Sequence, residues 1–379
     1  MRVTILGTGY VGLVSGACFA DFGHDVVCVD KNAAKIESLR QGAIPIFEPG
    51  LAELVGSNVR DGRLTFTVDG SDAVAGADAV FIAVGTPPRA CDGCADLSYV
   101  YTAAGELADA LDGFTVVITK STVPVGTGDE VERIIRHRRA DADFEVVSNP
   151  EFLREGAAIS DFKQPDRIVI GADASRARRV MADLYRPLCE NQSAVVHTTR
   201  RTAELIKYAA NAFLATKVTF INEIAELCEH VGADVQDVAR GMGLDDRIGP
   251  RFLNAGPGFG GSCFPKDAVA AIKTAQDYGT PLRIVETVVA VNDSRKRAMA
   301  RKVAKALGGN VRGATIAVLG LTFKPNTDDL REAPALTLIT ALQDMGANIR
   351  AYDPAGMEQA KALLSNVKFT RGPYACAEG

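Results

Sequence analysis

The chain has 379 residues, of which 47% are hydrophobic and 23% charged, and a formal net charge of -5. That composition suits a soluble globular protein of two or three domains, and the acidic balance carries no footprint of a nucleic-acid binder. No apolar run reaches spanning length and no signal peptide precedes the first strand, so no membrane partner is expected, and eight scattered cysteines fit reduced thiols in a cytoplasm.

Residues 3–6 form a short apolar strand, followed at once by Gly7-Thr8-Gly9-Tyr10-Val11-Gly12. A helical stretch then runs to Gly23, and a second strand over residues 26–29 ends in Asp30. This is the strand, glycine turn, helix, strand, acid order of a dinucleotide site. Gly7, Gly9 and Gly12, with the Tyr10 and Val11 backbone, would bring N–H groups to a pyrophosphate at the helix start. Asp30 would accept from ribose hydroxyls and repel a 2′-phosphate, which favours NAD over NADP. Lys35, one turn into the next helix, adds a contact.

Three further apolar runs end in polar residues: 79–84 before Gly85-Thr86-Pro87, 116–119 before Lys120-Ser121-Thr122, and 144–147 before Ser148-Asn149-Pro150-Glu151. Ligands of open parallel sheets gather beyond the carboxyl ends of strands. Thr86, Ser121, Thr122 and Glu151 are therefore candidates for one crevice, with ordinary turn chemistry as the competing reading. Cys91 and Cys94 form one CxxC; without a second pair it reads as a plain loop, with a labile disulfide as the alternative, and no metal site is expected.

Residues 202–230 carry a helical pattern without internal Gly or Pro, stopping at Gly232. Such a length suits a spine between lobes or a dimer seam. Lys207 and Asn211 share one face of it, and Glu204 lies one turn earlier. Either Lys207 and Asn211 serve a developing oxyanion, or Lys207 pairs with Glu204 and reaches solvent. Further on, Phe259-Gly260-Gly261-Ser262-Cys263-Phe264-Pro265-Lys266-Asp267 places a cysteine just ahead of a helix expected from Pro265 to Gly279. The helix start and Lys266 favour the thiolate, and Asp267 would orient a water. A buried structural cysteine is the plainer alternative.

The stretch 21–30 has a weak copy at 344–353, and each follows a strand ending in Leu-Gly. The second copy lacks the three-glycine turn, so a second βαβ unit is expected that does not grip a pyrophosphate in the same way. Few strands remain after Asp353, so the last lobe is expected to be incomplete.

A nicotinamide site and a cysteine nucleophile together suggest four-electron oxidation. An aldehyde yields no second hydride until something adds to it. Thiolate addition gives a thiohemiacetal, a second oxidation gives a thioester, and water releases an acid.

These residues resemble the UDP-glucose 6-dehydrogenases, bacterial type, of the UDP-glucose/GDP-mannose dehydrogenase family. The likeness runs through Gly7 to Gly12, Gly85 to Pro87, Lys120 to Thr127, Ser148 to Gly156, Glu204 to Glu223, Gly258 to Asp267 and Gly320 to Arg331. The resemblance implies an α/β fold: a Rossmann-like NAD domain over 1–198, a central helical domain over 199–300, and a nucleotide-sugar domain over 301–379. It implies Cys263 as nucleophile, Lys207 and Asn211 at the oxyanion, and Thr122, Glu151 and Asp267 for protons and water. Phe152, Leu153, Arg154, Phe252, Leu253, Gly258 and Lys324 would line the UDP-glucose pocket with Lys207 and Asn211. Arg247 would reach a neighbouring subunit in a homodimer built on the central domain. Thr86, Ser121, Thr122, Glu155, Lys266 and Arg331 would meet NAD.

Phe264 stands where GDP-mannose enzymes usually carry Leu, and UDP-N-acetylmannosamine enzymes diverge more widely. The CxxC loop is unusual for this family, and the family normally continues with further strands and a late arginine. Competing functions are a two-electron hydroxyacid dehydrogenase with a lysine base and a non-catalytic NAD-binding protein of the same fold.

Overall fold

The computed structural model describes residues 1–89, 93, 95–190 and 193–378. Cys91 and Cys94 lie outside the described residues. The chain divides into two compact units, Met1–Lys207 and Tyr208–Gly379.

In the first unit the strands are β1 (Arg2–Leu6), β2 (Asp25–Val29), β3 (Leu64–Thr67), β4 (Ala79–Ile82), β5 (Thr115–Thr119), β6 (Phe144–Ser148), β7 (Arg167–Gly171) and β8 (Ala194–Thr198). Among the described residues they form one sheet ordered β3-β2-β1-β4-β5-β6-β7-β8. All neighbours are parallel except β6 and β7, which meet at Ser148 and Gly171. β4 and β5 are buried at every position because both sheet faces are covered. Alternation sends Ile5 and Phe81 into one core with Leu13 and Phe19, and Val80 and Ile82 into the other with Leu107 and Ile135. Phe19 anchors the first core, with ring centroids 5.1 Å from Phe81, 5.0 Å from Phe162 and 5.3 Å from Tyr185. Strand order reverses between β1 and β4, the place where such sheets open a crevice beyond their carboxyl ends.

The spine helix Arg200–Val231 ends at Gly232, whose φ of 74° closes it in the left-handed conformation. The second unit adds helices Val235–Gly243, Phe264–Asp277 and Arg283–Ala306, and a smaller sheet of β9 (Thr315–Leu319), β10 (Asn348–Tyr352) and β11 (Val367–Phe369), all parallel in the order β11-β10-β9.

The sequence repeat has a structural counterpart. After β2, Asp30 accepts from Thr8 N–H at 3.1 Å and Asn32 N–H at 3.0 Å. After β10, Asp353 accepts from Leu321 N–H at 2.7 Å, Thr322 N–H at 3.1 Å, Ala355 N–H at 2.8 Å and Gly356 N–H at 2.7 Å. Each acid ties the turn of the preceding strand to its own. Asp353 is buried and its oxygens are engaged, so it acts as a clasp.

Candidate active site

The glycine turn separates structural from ligand-facing glycines. A Cβ on Gly12 would lie 1.9 Å from the Gly7 carbonyl oxygen, and one on Gly7, at φ 103°, would lie 2.6 Å from the Ala83 oxygen. Those two positions are fixed by packing. A Cβ on Gly9 would meet no protein atom within 4 Å. Its absence leaves space beside the start of helix Tyr10–Asp21, where a pyrophosphate lies in a dinucleotide fold. The turn therefore fits NAD. Asp30 also accepts from Thr8 Oγ1 at 2.7 Å and from Lys35 Nζ at 2.9 Å. Burial opposes its charge, but the Thr8 hydroxyl, Asn32 N–H and Lys35 ammonium win, and its pKa falls to about 2. It is ionised at neutral pH and can accept from ribose hydroxyls.

Beyond β4 and β5 the rim is stitched by side chains. Ser121 Oγ donates to the Val84 carbonyl at 2.7 Å, and Thr86 Oγ1 to the Thr122 carbonyl at 3.1 Å. Beyond β6, Glu151 is buried and accepts from Lys207 Nζ at 3.0 Å and from Leu153 N–H at 2.6 Å. Burial raises the carboxyl pKa, but the Lys207 ammonium and the Leu153 N–H outweigh it and hold Glu151 below its usual range. The Phe152 ring has the Arg167 guanidinium 3.7 Å from its centroid and Lys207 Nζ at 5.3 Å. Arg154 is held by Asp161 at 2.5 Å.

Lys207 does not pair with Glu204. Glu204, also buried, accepts from Gly126 N–H at 2.6 Å, Gly128 N–H at 2.8 Å and Ser148 Oγ at 2.9 Å. It fastens the spine helix to the start of helix Thr127–Arg138 and to the end of β6. Helix periodicity puts Asn211 one turn after Lys207 on the same face.

In the second unit, Asn211 Nδ2 donates to Asp267 Oδ2 at 2.6 Å, and Lys266 Nζ lies 2.9 Å from Asp267 Oδ1. Asp267 is 1% exposed, so these two groups face its oxygens in place of water. Cys263 is the residue before helix Phe264–Asp277, with Pro265 in the first turn. Its carbonyl accepts from Asp267 N–H at 2.8 Å, which seats the helix start beneath the sulfur-bearing residue. Cys263 is half-buried. Burial pushes the Cys18 and Cys28 thiols up to about 12, so those two stay protonated.

The loop ahead of Cys263 is clamped. Asn292 accepts from Phe259 N–H at 2.8 Å and donates to the Phe259 carbonyl at 3.1 Å. Glycine at 260 and 261 allows close packing: a Cβ there would lie 2.3 Å from the Glu332 oxygen and 2.7 Å from the Phe323 ring. Leu253 is buried, and Phe252 has a φ of 65° with its ring 5.9 Å from that of Phe264. A Cβ on Gly258 would lie 3.0 Å from Asn292 Oδ1. Arg331 pairs with Asp329 at 2.8 Å, and Lys324 Nζ lies 5.6 Å from the Phe323 centroid. Arg247, its side chain 89% exposed, pairs with Asp245 at 2.6 Å. The first unit thus brings together the glycine turn, Asp30 and Lys35, and separately Glu151, Phe152 and Lys207. The second brings together Asn211, Cys263, Lys266 and Asp267, while Arg247 is exposed and pairs with Asp245.

Several buried polar residues outside these groups are fixed by partners distant in sequence. Lys120 is buried beside the Phe162 and Tyr185 rings, with Nζ 3.1 Å from both Asn149 Oδ1 and Tyr185 OH. Burial lowers its pKa to about 8. Its lysine code in a polar strand end was a signal, but its partners come from three distant segments. Asn292 and Glu48 gave no local signal.

Among the described residues no helix is long and apolar enough to cross a membrane, and no group of three or more His, Cys, Asp or Glu could hold a metal ion. Three family models match the chain. The NAD binding domain of the UDP-glucose/GDP-mannose dehydrogenase family covers residues 1–189, its central domain 201–294 and its UDP binding domain 317–379. The chain belongs to this family. It is 69% identical to a UDP-glucose 6-dehydrogenase of Rhizobium meliloti, over 100% of this chain and 87% of the relative. It is 50% identical to the UDP-glucose 6-dehydrogenase TuaD of Bacillus subtilis, over 100% of this chain and 81% of the relative. A UDP-glucose dehydrogenase structure from Pyrobaculum islandicum superposes with a TM-score of 0.94 at 44% identity, covering 99% of this chain and 87% of that one.

Proposed function

We propose that this chain oxidises the sugar C6 alcohol of UDP-glucose to a carboxylate with NAD, giving UDP-glucuronate. The observation that carries this reading is the identity of 69% along the whole chain to a UDP-glucose 6-dehydrogenase, joined to a turn shaped for a dinucleotide. NAD, when bound, accepts the hydride in each oxidation.

The chain's own residues supply the rest. Cys263, at a helix start, adds to the aldehyde carbon to give a thiohemiacetal, and its second oxidation leaves a thioester. Lys207 and Asn211 donate to the oxygen that gains negative charge. Glu151, ionised and already a partner of Lys207, is suited to take up protons. Asp267, bonded to Asn211, is suited to orient the hydrolytic water, and Thr122 supports proton transfer from the rim. Phe152, Leu153, Arg154, Phe252, Leu253, Gly258 and Lys324 bind the sugar nucleotide. Gly9 and the backbone of Tyr10 and Val11 hold the pyrophosphate. Asp30 and Lys35 hold the ribose end, and Thr86, Ser121, Glu155, Lys266 and Arg331 complete the NAD contacts.

The domain limits we assign are 1–198, 199–300 and 301–379. The protein works in the cytoplasm as a homodimer through the central domain. Support for the dimer is a stripe on the spine helix: Phe213, Phe220 and Leu227, seven apart, are 65%, 45% and 56% exposed. Arg247, exposed on the surface, would reach the neighbouring copy's pocket. The activity is tested by comparing kcat/KM for UDP-glucose, GDP-mannose and UDP-N-acetylmannosamine. UDP-glucose should lead by at least about a hundredfold; equal rates would refute the assignment.

A further inference from the structure

Glu48 lies in the irregular stretch ahead of helix Leu51–Arg60 and is 8% exposed. Its Oε2 accepts from Gly156 N–H at 2.6 Å and from the Tyr10 hydroxyl, and its Oε1 accepts from Ala158 N–H at 2.8 Å. Gly156 N–H also lies 3.0 Å from the Tyr10 oxygen. Among the described residues the carboxylate's partners are a phenol and two backbone N–H groups, with no cation among them. A carboxylate buried without a counter-ion is costly, and it persists here only because three donors converge on it.

Those donors come from two functional segments. Tyr10 is the first residue of helix Tyr10–Asp21, directly after the Gly9 space assigned to the pyrophosphate. Gly156 and Ala158 close the loop that carries Phe152, Leu153, Arg154 and Glu155. Burial, then the Glu48 carboxylate, raise the Tyr10 pKa, so the phenol keeps the proton it donates. Removing that hydroxyl would leave the two N–H bonds to Glu48 intact and cut only the link to the dinucleotide turn.

We propose that Glu48 is a positioning residue that couples the cofactor turn to the sugar-nucleotide loop, so that NAD and UDP-glucose bind with positive cooperativity. This rests on the site assignment above. A ligand that orders either segment orders the shared carboxylate, and the second ligand then meets a segment already in place.

The test is a set of calorimetric titrations on the intact protein with NADH and UDP-glucose, a pair that cannot react. The dissociation constant of UDP-glucose is measured with and without saturating NADH, in wild type, Tyr10→Phe and Glu48→Gln. Wild type should show UDP-glucose tightened by about fivefold by NADH. In both variants the ratio should fall to about one, whatever happens to each single affinity. A bond that only stabilised the fold would lower the melting temperature and leave the ratio unchanged. A wild-type ratio of one, or an unchanged ratio in both variants, overturns the coupling and leaves the enzymatic reading standing. If wild type binds neither ligand, the site assignment and the coupling fail together.

Discussion

The buried pair Lys207–Glu151 ties the stability of the first unit to pH. The two groups lie 3.0 Å apart with side chains only 4% and 6% exposed. Lys207→Met keeps the apolar stem and removes the charge. Breaking a buried pair from one side costs about 3–5 kcal/mol, because the other charge is left uncompensated. For a unit of this size that is a fall in melting temperature of about 10 °C. In wild type Glu151 sits below its usual range, so the stabilisation is present above the unfolded carboxyl value of about 4.3 and is lost as pH falls through the lower folded value. In the variant burial persists while the chief opposing charge is gone, so Glu151 titrates above its unfolded value. Its contribution is then complete only below about pH 4.3 and is lost as pH rises through the raised folded value. The gap between wild type and variant must therefore widen from about pH 5 to about pH 8. Turnover should also drop by about 10²–10³, since a donor to the oxyanion is lost. Thermal melts at both pH values and initial rates of NADH formation read these effects. A gap that is equal at both pH values would refute the pairing argument.

Other outcomes follow from the same structure. Gly9→Ala should melt like wild type and raise the KM for NAD by about tenfold, whereas Gly12→Ala, whose Cβ would meet the Gly7 oxygen at 1.9 Å, should lose the folded first unit. Circular dichroism and steady-state kinetics separate the two. Asp30→Asn should weaken NAD and narrow its advantage over NADP, because the repelling charge is gone; an unchanged ratio of the two KM values would count against Asp30 as the ribose acceptor. Phe213→Glu with Phe220→Glu should give monomers in sedimentation equilibrium, where the wild type should give dimers; a monomeric wild type would count against the proposed dimer.

The elements built by local rules were legible in the sequence. Apolar runs flanked by glycine turns gave the central strands, and the long pattern ending at Gly232 gave the spine helix as Arg200–Val231. The cysteine helix was placed to within two residues, as Phe264–Asp277, because proline and glycine mark its ends. Side-chain pairings were harder. Local spacing offers Glu204 to Lys207, but Lys207 finds Glu151, 56 positions away in sequence, and Glu204 finds the Gly126 and Gly128 N–H groups. A carboxylate can satisfy several backbone donors at a helix start, and only the folded sheet decides which start is near. Lys120 was invisible as a buried cation for the same reason, since Phe162, Tyr185 and Asn149 come from separate elements. The repeat around Asp353 was visible as a pattern. Its role as a clasp on Leu321 and Thr322 was not, because the sequence does not reveal that its oxygens are already engaged.

The central claim is that one thiol carries the substrate between two hydride transfers. Counting NADH released per UDP-glucose consumed tests it most directly, with Cys263→Ser run beside the wild type. Two NADH per sugar in wild type, and a variant that binds UDP-glucose yet releases no glucuronate, is the predicted result. One NADH per sugar, or full turnover by the variant, would contradict it.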